Sequence, residues 1–293
     1  MELRQLEYFQ AVSRLNSVTK AAGQQNVAQP SVSVAIKNLE GELGVKLFDR
    51  SKKAISLTTE GNIFYQRVEY ILACLQDSVR EMKDYRITQE GTLRIGITPM
   101  MGTLLFPHAF ADFQKNNPKV KIDIVEEGSL TIRKQLERGE LDIGVLITSN
   151  IDSPLESFPI STGQIHVCLS RENPLANQGR IPFKRLREES FILFKEDTYI
   201  RQLILEECSK RYFSPRIAFS SSQIGTILGM VAQGTGISFF LEEIVRDHSE
   251  IVSRPLYKPL FLEAGLAWNR KRYISKTTKE FIESFRESMC SGG

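Results

Sequence analysis

Three bursts of helix-spaced apolar residues open the chain. Leu3, Leu6, Phe9, Val12 and Leu15 fall at three-residue steps, with Tyr8 and Ala11 beside them, and predict a first helix. "SVTKAAGQQNV" predicts a second, with Ser17 as its N-cap and Gly23 allowing close packing or a helix end. "AQPSVSVAIKNLEGELG" predicts a third, with Pro30 in its first turn. Val32, Ala35, Ile36, Leu39 and Leu43 share one face of it. Ser31, Ser33, Lys37 and Asn38 take the polar side, with Val34 close to the edge and Gly44 closing the helix. Two short β-like runs, "VKLFDR" and "KAISLT", follow, joined by Ser51-Lys52-Lys53. Three short helices with a tight turn before the third, then a two-stranded wing, predict an all-α winged helix-turn-helix over residues 1–58.

At Thr58 the period changes. Thr58 and Thr59 can cap a helix, and Glu60 suits its positive end. Phe64, Val68, Ile71, Leu72, Leu75, Val79 and Met82 then repeat at spacings of mainly three and four, as in a coiled-coil seam. Residues 59–90 are therefore read as a linker helix that dimerises the chain, the alternative being that the stripe packs on its own domain.

Beyond Gly91 the texture is α/β. "TLRIGIT" and "VKIDIVEEG" alternate as strands, "LDIGVLI" reads as a buried strand, and helical stretches lie between them, which implies a parallel sheet. A second strand-and-helix set begins near "QIHVCLS", and "GLAWNRKR" with the final helix can return to the first set. The expectation is two lobes, one of about residues 91–161 plus 266–293 and one of about 162–265, with a cleft between them.

Net charge is only +3, so the whole chain is no polybasic binder, but its distribution is informative. Lys46, Arg50, Lys52 and Lys53 stand against the single acid Asp49 between Leu43 and Leu57, a local excess as large as the total. Cys74, Cys168, Cys208 and Cys290 are scattered, without metal-ligand spacing, and read as reduced thiols. His108, His166 and His248 lack metal or triad spacing and read as structural. "GTGIS" at 234–238 lacks the Lys-Ser/Thr of a phosphate loop and reads as a core turn. No run of apolar residues is long enough for a membrane span, and "MELRQLEYFQAV" lacks a signal-peptide pattern, so a cytoplasmic protein is expected. A solute-binding protein or an α/β enzyme with an unrelated helical domain is the rival reading.

Gln29-Pro30-Ser31, Leu39-Glu40, Leu43-Gly44, Leu47-Phe48-Asp49-Arg50 and Leu57-Thr58 with Gly61 together resemble the LysR-type transcriptional regulators; "GTLRIGIT" and "LDIGV" resemble their effector domain. The resemblance implies a cytoplasmic, bacterial, non-enzymatic regulator without a cofactor. It implies a two-lobed, periplasmic-binding-protein-like C-terminal domain. It further implies a homodimer or homotetramer that acts on double-stranded promoter DNA and on RNA polymerase. In a helix-turn-helix the third helix enters the major groove. Gln29 then suits adenine; Pro30, Ser31, Ser33 and Val34 lie at the groove, and Lys37 reaches guanine or phosphate. Arg50, Ser51 and Lys52 on the wing, and Lys20, suit the backbone. By similarity, Thr98, Met100, Met101, Gly102 and Thr103 face Ser221 and Gln223 across the cleft, with Thr148 near the crossover. Strand ends and helix starts attract anions, so a small anionic effector is expected.

Overall fold

A computed structural model describes residues 1–49, 55–85, 91–104, 106–149, 151, 153–246 and 248–290. The chain divides into two compact units, Met1–Lys83 and Asp84–Gly293.

The first unit holds helices α1 (Leu3–Leu15), α2 (Val18–Gln24) and α3 (Gln29–Leu43), then strands β1 (Phe48–Asp49) and β2 (Ser56–Leu57), and nearly all of α4 (Thr59–Asp84). Ser17 caps α2 by accepting the Lys20 amide, Pro30 sits in the first turn of α3, and Gly44 ends α3 in the left-handed conformation at φ 70°. Space around Gly23 is open, so that glycine marks a helix end rather than a close contact. Val32, Ile36 and Leu39 of α3 are fully buried with Phe9 of α1 and Leu47, the opposite face staying wet. Phe9 is the hub, its ring 5.3 Å from those of both Phe48 and Phe64. β1 and β2 pair antiparallel, Phe48 opposite Leu57, as a short wing.

Thr58 joins wing to α4. Its hydroxyl donates to the Lys46 carbonyl at 2.7 Å and accepts the Gly61 amide at 2.9 Å, which makes it the helix cap. A Cβ at position 61 would stand 2.0 Å from the Leu47 carbonyl oxygen, so only glycine admits this approach.

The second unit carries, in order, β3 (Thr92–Ile97), α5 (Pro99–Leu104), α6 (Phe106–Asn116), β4 (Lys121–Glu126), α7 (Ser129–Arg138), β5 (Ile143–Ile147) and β6 (Leu155–Ser170). Then come β7 (Ser190–Phe194), α8 (Tyr199–Ser209), β8 (Arg216–Ser221), α9 (Ile224–Ala232), β9 (Ser238–Leu241), α10 (Glu242–Val245), β10 (Ile251–Asn269) and α11 (Lys276–Cys290). Six strands form one sheet in the order β4-β3-β5-β10-β6-β9, with β3, β4 and β5 mutually parallel. β7 and β8 form a separate parallel pair.

The two long strands make the crossing. β6 and β10 run antiparallel from Leu155–Asn269 at one end to Ser170–Ile251 at the other, with a register shift between Pro255 and Leu260. Pro255 has no amide to give the ladder, and the shift absorbs that gap. One apolar cluster runs from Leu93 and Phe113 on one side of the crossing to Phe191, Phe239 and Phe240 on the other. Sequence reading placed separate strands near Gln164 and Gly265; both are later parts of strands that begin at Leu155 and Ile251.

Candidate nucleic-acid interface and interlobe pocket

On α3 the residues left in solvent are Gln29, Pro30, Ser31, Val34, Lys37, Asn38, Gly41 and Glu42, and of these Pro30, Ser31, Val34, Lys37 and Asn38 share the face opposite the core. Ser33 is half-buried, and its hydroxyl accepts the Gln29 side-chain amide at 2.9 Å, which holds Gln29 along the helix. Val34 is 57% exposed, an apolar group in the middle of a polar face. Lys20 of α2 is exposed as well. Arg50, Ser51 and Lys52, expected on the wing, lie outside the described residues.

Glu40 is a feature the sequence reading passed over as part of a motif. Its carboxylate is buried, 4% exposed, and accepts the amides of Leu47 at 2.9 Å and Phe48 at 3.3 Å, with Lys46 Nζ at 3.4 Å. A buried carboxylate is tolerated only when its oxygens are hydrogen-bonded. Here that requirement ties the exposed helix to the strand that starts the wing.

The apolar stripe of α4 divides. Val68 and Leu72 are buried in the N-terminal core with Phe64 packed against it, while Ile71, Leu75, Val79 and Met82 stay 43–59% exposed. Packing on its own domain therefore claims Phe64, Val68 and Leu72, and four remain in solvent. Arg14 of α1 holds Glu69 of α4 at 2.9 Å and 3.2 Å. Burial pushes the Glu69 carboxyl up, and hydrogen bonds from Arg14 and Tyr65 outweigh it, so its pKa lies below the ordinary glutamate value.

In the second unit a small, half-open pocket of about 20 Å³ lies between the lobes. Thr98, Pro99 and Met100 at the start of α5, Ser129 at the start of α7 and Ile147 form one wall. Phe194, Thr198, Tyr199 and Ile200 around the start of α8 form the other. The lining is apolar apart from hydroxyls. Thr98 is 6% exposed, and its hydroxyl finds no hydrogen-bond partner among the described residues.

Of the expected effector contacts, Thr98 and Met100 line this pocket. Met101 is fully buried in the apolar core, Gly102 is half-buried and Thr103 is exposed, bonding the Pro99 carbonyl. Thr148 bonds Glu263 at its carbonyl and carboxylate and so fastens β5 to β10. Ser221 and Gln223 bond within their own turn and do not line the pocket. The helix start that docks on the α7 start is that of α8, through residues 197–199. The Leu130 amide donates to the Asp197 carbonyl at 3.0 Å, and the Tyr199 amide to Ser129 Oγ at 2.9 Å. Asp197 Oδ2 accepts the Gly128 amide at 2.9 Å and Thr131 Oγ1 at 3.0 Å. Sequence reading missed Ser129, Asp197, Thr198 and Tyr199. "EGSLT" after β4 and "EDTY" after β7 were helix starts at strand ends, the same signal that pointed to Thr98.

Remaining chemistry is structural. His166 is buried; its Nδ1 lies 3.3 Å from Ser253 Oγ, and burial lowers its pKa. Burial pushes the Cys208 thiol up to about 12 and raises that of Cys168 also, which leaves both far from a reactive thiolate. Gly234 at φ 69° and Gly236 against the Ser190 carbonyl make "GTGIS" a packed turn. No metal-holding cluster occurs among the described residues, and no described helix is long and apolar enough to cross a membrane.

The comparisons with known proteins agree across the chain. Residues 3–62 match the bacterial regulatory helix-turn-helix protein model of the lysR family, and residues 87–290 match the LysR substrate binding domain. An uncharacterised HTH-type transcriptional regulator of Bacillus subtilis, YwbI, is 34% identical over 97% of this chain and 95% of its own. Among solved structures, HinK, a LysR family transcriptional regulator from Pseudomonas aeruginosa, is 28% identical with a TM-score of 0.58 over 98% of both chains. A cysteine variant of full-length OxyR from the same species is 27% identical, TM-score 0.59, over 99% of both.

Proposed function

The chain belongs to the LysR family of transcriptional regulators, and from that premise we propose how its own residues divide the work. It is a DNA-binding regulator with a substrate-binding domain, not an enzyme. α3 enters the major groove of promoter DNA. Gln29, Ser31 and Ser33 meet base edges, Val34 meets a thymine methyl, and Lys37 reaches guanine or phosphate. Lys20 and the wing cations Arg50 and Lys52, with Ser51, hold the backbone and carry no sequence information. The observation that carries this reading is the face of α3 itself: polar with one exposed valine, and backed by a fully buried Val32, Ile36 and Leu39.

A small effector enters the pocket at Thr98, Met100, Ser129 and Tyr199 and shifts the population between two arrangements of the lobes, one favouring productive promoter binding. The exposed Ile71, Leu75, Val79 and Met82 of α4 meet a second copy, so that DNA carries paired half-sites. The working compartment is the cytoplasm, and RNA polymerase is the downstream partner.

Selection of binding sites from a random DNA pool tests the DNA reading. Two related half-sites, spaced by about one helical turn or a multiple of it, are the expected result. Recovery of unpaired single sites, or of no consensus at all, contradicts it.

A further inference from the structure

The starts of two helices, α7 and α8, meet at the edge of the interlobe pocket, and the Asp197 carboxylate lies between them. Asp197 belongs to the turn before α8, yet its Oδ2 accepts the Gly128 amide and the Thr131 hydroxyl, both at the start of α7. This is the position an anion takes at the positive end of a helix. The fit is close: a Cβ on residue 128 would stand 2.3 Å from Asp197 Cγ. Gly128 is therefore what lets the carboxylate in.

Among the described residues no charged side chain lines the pocket itself; Asp197 adjoins it, next in sequence to the lining Thr198. Two guanidinium groups touch lining residues, and both are already engaged. Arg133 donates to the carbonyls of Ile147 and Ser149, and Arg201 to the Phe194 carbonyl and Ser220 Oγ. What remains open is an apolar wall of Met100, Ile147, Phe194 and Ile200 with the buried, unbonded hydroxyl of Thr98. An unsatisfied buried hydroxyl costs free energy until a partner arrives.

We propose that Asp197 sets the charge preference of the effector site: it occupies the anion position at the start of α7, so the pocket takes an uncharged, largely apolar ligand whose polar group bonds Thr98. The inference rests on the reading of this pocket as the effector site and replaces the expectation of an anion with that of a neutral ligand. A free carboxylate brought to the α7 start must displace Asp197 or bear its repulsion.

Matched ligand pairs test this on the full chain by isothermal titration and thermal shift: hexan-1-ol with hexanoate, and cyclohexanemethanol with cyclohexanecarboxylate. In the native protein the alcohol of each pair binds at least about tenfold more tightly, the scale of one charge-assisted contact. In Asp197→Ala the carboxylates gain about tenfold while the alcohols change little, because the vacated α7 start receives them. Asp197→Asn, which keeps an acceptor without the charge, falls between, and Thr98→Val weakens only the alcohols. Carboxylates preferred by the native protein, or no gain on Asp197→Ala, overturn the inference and leave the effector site intact. Binding of no pair member by any of these proteins overturns the effector reading of this pocket together with the inference.

Discussion

The Glu40 carboxylate accepts the backbone amide of Leu47 at 2.9 Å, seven residues further along the chain. The bond passes around the end of α3, so the last turn of that helix and the first strand of the wing move as one piece. Glu40→Leu fills the site with an apolar group of similar size and leaves the amides of Leu47 and Phe48 without an acceptor. Loss of about 2–3 kcal/mol is expected for the N-terminal unit, read by urea denaturation of the full chain through its first transition. Binding to DNA should weaken as well, since the wing loses its register with α3. A change under about 0.5 kcal/mol, the range of ordinary surface substitutions, refutes the role.

The exposed stripe of α4 makes a separate prediction. Leu75→Glu with Val79→Glu places like charges on a face that is in solvent within one chain but apolar. If a second copy covers that face, the double variant sediments as a monomer at concentrations where the native protein is oligomeric. Its circular dichroism should be unchanged, because neither residue belongs to the N-terminal core. An unaltered sedimentation coefficient sinks the proposed role of α4.

Glu69 gives the pH dependence. Its folded pKa is depressed, so the Arg14–Glu69 pair adds stability above the ordinary glutamate pKa, and that contribution is lost as pH falls through the folded value. Glu69→Gln should cost about 1 kcal/mol near pH 7, the size of a partly exposed pair. The two proteins should converge in stability as the medium is acidified below the carboxylate range. A gap that stays constant from neutral to acid pH assigns the loss to packing instead.

How far the sequence could be read depends on how local each signal is. The faces of α3 were legible because burial there follows from spacing within one helix, and Ser17, Pro30 and Gly44 act on their own turns. The division of α4 was not: Phe64, Val68 and Leu72 are spent on Phe9 and its neighbours, which lie on a helix some 60 residues earlier, a relation invisible in the stripe. The early halves of β6 and β10 also escaped. Residues 156–164 are mostly half-exposed and carry no clean alternation, and what makes them a strand is pairing with a partner about 100 residues away. Asp197 shows the same limit at the pocket. In sequence it resembles a cap for its own helix, whereas it caps a different one.

The central claim is that α3 reads bases while the remaining contacts read only charge. The measurement that separates these is the affinity of Gln29→Ala for a selected operator and for random DNA, each followed against salt. Loss of one bidentate base contact should weaken operator binding by about 1–3 kcal/mol, leave random DNA nearly unaffected and keep the salt slope. Equal losses on both, or a loss that comes with a shallower slope, would contradict the assignment of α3 as the reading helix.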